Sequence, residues 1–353
     1  MPVKPLQFGQ ESGLPKVGVV LLTYNQAPYL RASMDSLLNQ TFRDFELIVI
    51  NDCSPDETRE ILQGHEGKPG VQIIHHEVNR GLQWSTHEAI QMARGQYILW
   101  TSGDDVHHPE LLQRTVAVLD RNPQVGFVYT RVFLIGSEGQ IEGIKTSPGK
   151  PELERDYVRD GLKEFQALLR GNHIVTTGAV LFRRECYEQV GGLDSTLPEA
   201  SDWDLWLRMA IVSDVAHLAE PLFYWRRHEG TLSQQFQRSG QYYVDMVRVL
   251  EKTFSHLPLS ASKLRRLRGP LLAQAYFKLA RTEFSRAAAS GANGMPSQAR
   301  LLRTARSCLR RAFVLSPRHF LKWVNLKQGL LILLGLAWAS RAVDVKRRLH
   351  DMV

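Results

Sequence analysis

Short apolar runs and amphipathic helical patterns alternate from Val17 to about Leu134. The runs, rich in β-branched and aliphatic residues, predict strands, and the longer segments between them predict helices. The predicted strands cover 17–24, 45–52, 71–76, 96–102 and 125–135, and the predicted helices cover 27–40, 55–64, 82–94 and 109–122. This alternation is typical of βαβ units around a mainly parallel sheet with helices on both faces.

Polar clusters follow four of the predicted strands. In open α/β sheets ligands bind beyond the carboxyl ends of the strands, because the connecting loops gather there. We therefore expect one crevice to be formed by Thr23 to Asn25, Asn51 to Ser54, Asn79 to Gly81 and Ser102 to Asp105.

The rest of the chain is less regular at first and then helical. Residues 136–160 are polar and rich in Gly and Pro, which predicts a connection. A helix is predicted to begin near Ser201, in a part expected to bind an acceptor and close the site. After about Ser233 two arginine-rich amphipathic helices flank a Gly/Ser/Ala/Asn break. The predicted division is a flexible leader 1–16, an α/β domain 17–232 and a basic helical region 233–353.

Charge is distributed unevenly between these parts. The net charge of the 353 residues is +8, but residues 1–232 hold 22 Lys/Arg against 31 Asp/Glu, a net of −9. Residues 233–353 hold 22 against 5, a net of +17. Arginine-rich helices can bind nucleic acid. We expect no nucleic acid partner, because no reader motif is present and the acidic part would repel phosphate backbones.

Missing motifs argue against several classes of protein. No GxGxxG follows the first predicted strand and no GxxxxGK[ST] occurs, which disfavours dinucleotide dehydrogenases and P-loop NTPases. A nucleotidyltransferase would be expected to carry a Gly- and Lys-rich loop where this chain reads TYNQAPYL. The three cysteines form no CxxC pair, and the N-terminus lacks a signal-peptide core. We therefore expect a reducing, cytoplasmic location.

Asp104 and Asp105 stand side by side directly after a predicted strand. Adjacent like charges repel, so such a pair favours a bound cation. Mg²⁺ and Mn²⁺ take carboxylate oxygens and keep positions open for substrate phosphates. The alternative is a helix cap before Pro109, which needs only one of the two acids.

The end of the first predicted strand offers groups that suit a nucleobase. Thr23, Tyr24 and Asn25 supply a hydroxyl, an aromatic face and an amide, and Asp52 could accept a base N–H. Alternatively, Asn25 and Asp52 cap the helices that follow them.

Asp202 and Asp204 open the helix predicted near Ser201 and point in different directions, because they are two residues apart. One could serve as a general base towards a hydroxyl while the other pairs with Arg208. Both could instead only stabilise the first turn. His228 follows a predicted strand, and a lone histidine is more often structural than a ligand.

Taken in order, VVLLTYNQAPYL, FELIVINDCSPDET, NRGL, SGDD, GGLD, SDWDLWLR and YWRRHEGTLS resemble a family 2 glycosyltransferase of the GT-A fold, from about Val17 to Ser233. The resemblance implies a Rossmann-like, mainly parallel mixed sheet flanked by helices and followed here by a helical C-terminal region. It also implies transfer of a sugar from a nucleoside diphosphate donor to an acceptor hydroxyl, with inversion and with Mg²⁺ or Mn²⁺.

The resemblance assigns roles to individual residues. Asp202 corresponds to the catalytic base. Asp104 and Asp105 correspond to the metal and ribose carboxylates of the DXD-type motif, and both are expected to be metal residues, with Asp105 the more direct ligand. His228 corresponds to a histidine that contacts metal or diphosphate. The residues expected to hold the nucleotide are Thr23, Tyr24, Asn25, Asp52, Arg80 and Asp104.

Two positions depart from the family pattern. Ser102 stands where many members have a further acid, which still leaves two carboxylates for a metal. Ser201 stands where Glu usually precedes the catalytic Asp, which is expected to alter the positioning of the base or the acceptor.

The C-terminal region carries an apolar run, 329–340, with basic flanks and Trp323 and Trp338 near its ends. A spanning helix needs roughly 20 apolar residues, so the run is short for one. It is typical of an interfacial helix on an anionic bilayer, or of a helix docked on the protein's own core.

The expected function is metal-dependent, inverting glycosyl transfer at the cytosolic face of a membrane, in the synthesis of a cell-surface polysaccharide or lipopolysaccharide. The alternative is a scaffold that binds a sugar nucleotide without turnover. A binding module has no need for the base Asp202, which disfavours the scaffold. The expected partners are a nucleotide-sugar donor and a glycan or glycolipid acceptor.

Overall fold

The structure is a computed structural model that describes residues 13–145, 150–228, 230–231, 239–258, 261–289 and 295–320, together with 329 and 332. The chain divides into two compact units, Met1–Thr231 and Leu232–Val353.

A ten-stranded mixed sheet, counted over the described residues, forms the centre of the first unit. Its strands are β1 Val17–Thr23, β2 Phe45–Asn51, β3 Val71–His75, β4 Tyr97–Ser102, β5 Val106–His107, β6 Val125–Ile135, β7 Ile141–Ile144, β8 Tyr157–Arg159, β9 Val180–Arg183 and β10 Asp214–Arg226. The order is β3-β2-β1-β4-β9-β6-β10-β5, with β7 on β6 and β8 on β10.

Helices accompany this sheet. They are α1 Ala27–Leu38, α2 Thr58–Gln63, α3 Leu82–Met92, α4 Leu111–Arg121, α5 Gly161–Leu169, α6 Arg184–Gln189 and α7 Ser201–Val212. The predicted α/β fold is confirmed, including a helix that begins at Ser201.

The first four strands of the sheet are parallel, in the order β3-β2-β1-β4. Every residue of β1 and β2 is buried, as expected for strands covered on both faces. The register pairs Thr23 with Asn51 and Leu22 with Ser102, so the carboxyl ends of these strands lie at one edge of the sheet.

The second half of the sheet mixes directions. β9 runs antiparallel to β4 and to β6, whereas β10 runs parallel to β6. The segment 136–160, predicted as a connection, contains β7, a 3₁₀ turn at Pro151–Glu154 and β8. β7 is short and largely exposed, as an edge strand can be. Its sequence therefore gives little indication that it pairs with another strand.

Strand β10 brings distant parts of the chain to the ligand edge. It pairs along β6 and, near its end, antiparallel with β5, where Phe223 faces His107. β5, which directly follows Asp104 and Asp105, is therefore hydrogen-bonded to the strand that ends at Arg226.

The regular secondary structure described in the second unit is helical. Its helices are α8 Gln241–His256, α9 Ser262–Arg265, α10 Arg268–Ala289, α11 Met295–Leu315 and α12 Pro317–Phe320. The two arginine-rich helices predicted around the Gly/Ser/Ala/Asn break correspond to α10 and α11. Tyr276 of α10 joins the helices, since its hydroxyl donates to Glu251 Oε1 at 2.6 Å and accepts from Arg311 Nη1 at 2.8 Å.

The apolar run 329–340 lies outside the described residues, except for Gly329 and Ile332, which are buried. The predicted leader 1–16 is described only from residue 13 onward. Over the described residues, no helix is both long enough and apolar enough to cross a bilayer.

Candidate active site

The turn after β4 places the acid pair next to the end of β1. A Cβ on Gly103 would lie 2.9 Å from both Thr23 Oγ1 and Gln26 Oε1, so a larger residue would force these side chains to move. The Gly103 N–H donates to the Leu22 carbonyl oxygen at 3.0 Å. Thr23 Oγ1 is buried and has no hydrogen-bond partner among the described residues.

Tyr24 and Asn25 follow β1 at the same edge of the sheet. Tyr24 is 46% exposed, which leaves its ring open for stacking. Asn25 has a φ of 55° in the left-handed region, and its N–H donates to Ser54 Oγ at 3.1 Å. The described α1 follows Gln26 without a side-chain cap, so Asn25 does not cap this helix.

Asp52 is buried and holds the loop between β3 and α3. Its Oδ1 accepts from the Arg80 N–H at 2.9 Å, and its Oδ2 accepts from the Gly81 N–H at 2.8 Å. His76 Nδ1 lies 2.8 Å from Oδ1. An ionised carboxylate has about four acceptor positions, so one remains for a ligand N–H.

Arg80 lies over an exposed aromatic ring. Its guanidinium carbon is 4.1 Å from the centroid of Trp84, which is 44% exposed. Sequence reasoning missed Trp84 and His76. The segment HHEVNRGLQW contains both, but no spacing rule connects them with Asp52.

Asp104 and His228 come together at the edge of the sheet. His228 Nε2 lies 3.1 Å from Asp104 Oδ2, and both side chains are largely buried. The His228 ring also stacks at a tilt on Tyr29, with 4.6 Å between centroids. The residues therefore present one carboxylate and one imidazole at the same point.

Asp105 occupies a different environment from its neighbour. Its Oδ1 accepts from the Arg226 N–H at 2.9 Å. Burial, and then the adjacent Asp104 charge, raise the pKa of the Asp105 carboxyl well above its ordinary value. Neither acid caps a helix in the described structure, since α4 follows Glu110 without a side-chain cap.

Arg226 organises this acid loop, a role that sequence reasoning did not assign. Its Nε donates to the Asp104 carbonyl oxygen at 2.8 Å, and its Nη1 donates to the Gly136 and Ser137 carbonyl oxygens at 3.0 and 2.9 Å. The guanidinium carbon lies 4.9 Å from the Tyr29 ring centroid. The sequence RRH marked the position as basic but gave no sign that one arginine is buried.

The two acids at the start of α7 have different partners. Asp204 is buried and pairs with Arg208 at 2.8 Å, which fulfils one of the predicted roles. Asp202 is partly exposed, and its Oδ2 accepts from Asn172 Nδ2 at 3.3 Å. Desolvation raises the pKa of Asp202 to about 6, against the opposing effect of the Trp203 N–H.

Ser201 links α7 to the first turn of α3. Gln83 Nε2 donates to Ser201 Oγ at 2.8 Å and to the Pro198 carbonyl oxygen at 3.1 Å. Gln83 lies in the first turn of α3, two residues after Gly81. Serine at position 201 thus joins the helix that carries Asp202 to the start of α3.

The predicted metal ligands assemble in part. Within the described residues, no three His, Cys, Asp or Glu side chains converge well enough to hold an ion by themselves. Asp104 and His228 do converge, and Mg²⁺ is commonly held by one or two protein carboxylates together with substrate phosphates. The donor set of one carboxylate and one imidazole fits such a partly open site.

The described residues thus present an exposed aromatic ring at Tyr24, a carboxylate–imidazole pair at Asp104 and His228, and a carboxylate with a raised pKa at Asp202. Residues 18–191 match the family described as Glycosyl transferase family 2. The matched part of the chain belongs to glycosyltransferase family 2, and it has the GT-A fold. The family and fold predicted from the ordered motifs are confirmed.

Relatives support the assignment to this family. Uncharacterized glycosyltransferases of Rickettsia felis and Rickettsia bellii are 26% identical over 246 residues and 28% identical over 204 residues, which are 69% and 57% of this chain. The chain spans only 38% and 28% of the lengths of these relatives.

Two solved structures share the fold. Staphylococcus aureus TarS 1-349 in complex with UDP-GlcNAc has a TM-score of 0.61 at 18% identity, over 85% of this chain and 83% of that one. The mannosyltransferase PcManGT from Pyrobaculum calidifontis, in complex with GDP-Man and Mn²⁺, has a TM-score of 0.55 at 18% identity, over 91% of each chain.

Proposed function

We propose that this glycosyltransferase moves a sugar from a nucleoside diphosphate donor to an acceptor hydroxyl with inversion at the anomeric carbon. The observation that carries the proposal is the partly exposed Asp202, whose pKa of about 6 suits a general base near neutral pH. Asp204 is occupied by Arg208, so a single carboxylate at the start of α7 is available for this role.

The proposed sugar transfer is a single displacement at the anomeric carbon. Asp202 takes the proton of the acceptor hydroxyl as the acceptor oxygen bonds to the anomeric carbon. The bond from that carbon to the donor's phosphate oxygen breaks, and the nucleoside diphosphate leaves with the electron pair. Attack opposite the leaving group inverts the configuration.

The donor is proposed to lie along the carboxyl ends of β1, β2 and β4. Tyr24 offers an open ring for the base, and Asp52 keeps one acceptor position for a base N–H. Asn25, Arg80 and the buried Thr23 hydroxyl complete the nucleoside side. The donors bound to TarS and PcManGT, UDP-GlcNAc and GDP-Man, are both nucleoside diphosphate sugars, which favours this class of donor.

Asp104 and His228 are proposed to hold Mg²⁺ or Mn²⁺ together with the donor diphosphate. The bound ion would stabilise the negative charge of the leaving diphosphate as a Lewis acid. Asp105 is directed to the Arg226 N–H, so the geometry favours Asp104 over Asp105 as the direct ligand, in contrast to the expectation from sequence. Asp104 also remains a candidate for the ribose, and Asp105 supports the loop.

A role in assembling a cell-surface glycan at the cytosolic face of a membrane is proposed from the charge of the second unit. Exposed arginines of α11 recur at positions that share one helix face: Arg300, Arg303, Arg310 and Arg311. Val314 on the same face is 77% exposed. A basic face beside an exposed apolar residue suits the headgroups of an anionic bilayer.

The proposal is tested with purified protein, Mn²⁺ and a panel of UDP-, GDP- and dTDP-sugars, with envelope glycolipid extract as acceptor. We expect nucleoside diphosphate release from one donor and loss of release in Asp202→Asn. Donor binding without release, even with the extract, would overturn the enzymatic proposal and favour a scaffold. NMR of the glycosidic linkage then reports inversion or retention.

A further inference from the structure

His76 lies between two carboxylates that come from different elements. Its Nδ1 is 2.8 Å from Asp52 Oδ1, after β2, and its Nε2 is 2.7 Å from Glu88 Oε2, on α3. The His76 and Asp52 side chains are nearly inaccessible, at 5% and 7% exposure, whereas Glu88 is 29% exposed. The imidazole is thus a buried bridge with a carboxylate oxygen at each nitrogen.

The bridge needs a hydrogen-bond donor opposite each of the two carboxylates. Ionised carboxylates only accept, so the imidazole satisfies both of them when each ring nitrogen carries a proton. Hydrogen bonds between charged partners are shorter and stronger than neutral ones. The bridge therefore fixes the orientation of the Asp52 carboxylate firmly.

Asp52 in turn fixes the loop that begins α3. Its two oxygens accept from the backbone N–H groups of Arg80 and Gly81 at 2.9 and 2.8 Å. The Arg80 guanidinium lies over Trp84, and the Trp84 ring meets the His76 ring edge-on, with 5.5 Å between centroids. His76 thus contacts both groups that hold Arg80. These are the Asp52 carboxylate, which binds the Arg80 N–H, and the Trp84 indole, which lies against the Arg80 guanidinium.

We propose that His76 is a positioning residue for the donor nucleotide: it holds Asp52 so that the 79–81 loop and the free acceptor position of Asp52 face the base. This inference rests on the proposed donor site. His76 touches no substrate itself, so it should influence donor affinity and leave the chemical step at Asp202 almost unchanged.

Two variants separate positioning from simple packing. In His76→Asn, the short amide can place its NH₂ near the position of Nδ1 and keep the hydrogen bond to Asp52. In His76→Gln, the longer amide reaches towards Glu88 and gives up Asp52. Both variants remove the ring that contacts Trp84, so a packing role predicts similar losses of thermal stability and similar kinetics.

We expect His76→Gln to raise the KM for the donor about tenfold, as the loss of a charge-assisted hydrogen bond would. Its kcat should stay within about twofold of the wild type, and His76→Asn should keep the donor KM near the wild-type value. Equal KM values in the two variants, or a fall in kcat at constant KM, would overturn the positioning role.

Amide hydrogen exchange followed by NMR gives a second readout that needs no ligand. The Arg80 and Gly81 amides should exchange faster in His76→Gln than in His76→Asn or the wild type. Unchanged exchange in His76→Gln overturns the inference even if donor binding changes. If wild-type protein binds none of UDP, GDP and dTDP while exchange behaves as expected, the proposed donor site fails and the tether from His76 to the loop stands.

Discussion

His228 Nε2 lies 3.1 Å from Asp104 Oδ2, although 124 positions separate the two residues in the chain. β10 pairs with β5, the strand that follows the acid loop, and this pairing places the imidazole against that loop. Tyr29 packs on both His228 and Arg226, so α1 also supports this corner of the crevice. The pair is the centre of the proposed metal and diphosphate site.

Chelation should abolish nucleoside diphosphate release, and added Mn²⁺ or Mg²⁺ should restore it. His228→Ala should raise the Mn²⁺ concentration needed for half-maximal activity about tenfold, because one donor group is lost. The matched control is His87→Ala, which removes an exposed histidine on α3. Activity that survives exhaustive chelation would disprove a metal requirement.

Asp202→Asn should lower kcat by about 10²- to 10⁴-fold, the range typical of a general base, with little change in donor KM. Asp204→Asn is the control two residues away, and it should chiefly lower thermal stability by weakening the buried pair with Arg208. The comparison requires steady-state kinetics and thermal unfolding of both variants. Equal losses of kcat in the two variants would contradict a catalytic role for Asp202 that Asp204 lacks.

The pH profile of kcat/KM should fall below about pH 6 with a slope of one, because Asp202 accepts a proton only when it is ionised and burial raises its pKa to about 6. The folded state holds this proton more tightly than the unfolded chain does, so the contribution of Asp202 to stability decreases as pH rises from about 3.8 to about 6. An acidic limb near pH 4 would argue against Asp202 as the base.

Arg226→Lys should destabilise the first unit by about 2 kcal/mol or more, because lysine cannot reproduce the forked donation to three carbonyl oxygens and leaves buried acceptors without partners. Activity at low temperature should fall as the Asp104 loop loosens. The control Arg227→Lys changes the exposed neighbour and should be neutral in urea unfolding. Equal midpoints for the two variants would show that the buried fork is dispensable.

Binding to vesicles of phosphatidylcholine with phosphatidylglycerol should exceed binding to phosphatidylcholine alone and should weaken at high salt. The double reversal Arg303→Glu, Arg310→Glu should reduce it about tenfold or more, since each basic residue near an anionic surface contributes about 1 kcal/mol. Arg121→Glu, which changes an exposed residue of α4 in the first unit, should have little effect. Equal binding to vesicles with and without phosphatidylglycerol would show that the arginine face of α11 is not the membrane contact.

The spacing of apolar residues was sufficient to predict β1 to β4 and the helices between them, because strands buried on both faces and amphipathic helices leave local patterns. The short edge strands β7 and β8 were missed, because an exposed edge strand needs few apolar residues and its pairing partner lies elsewhere in the chain. Sequence also narrowed the candidate base to Asp202 or Asp204. It identified Arg208 as a partner for one of them, since a pair four residues apart on a helix is a local relation.

Tertiary structure decided the contacts between residues far apart in sequence. Tyr29 meets Arg226, His76 bridges Asp52 and Glu88, and Gln83 binds Ser201 because the sheet order brings separate loops to one edge. Burial and the pKa shifts that follow from it are set by this packing, so Asp202 and Asp105 could be chosen from sequence but their ionisation could not. The chain's local pattern thus determined the elements and the candidate chemistry, and packing determined which groups face one another.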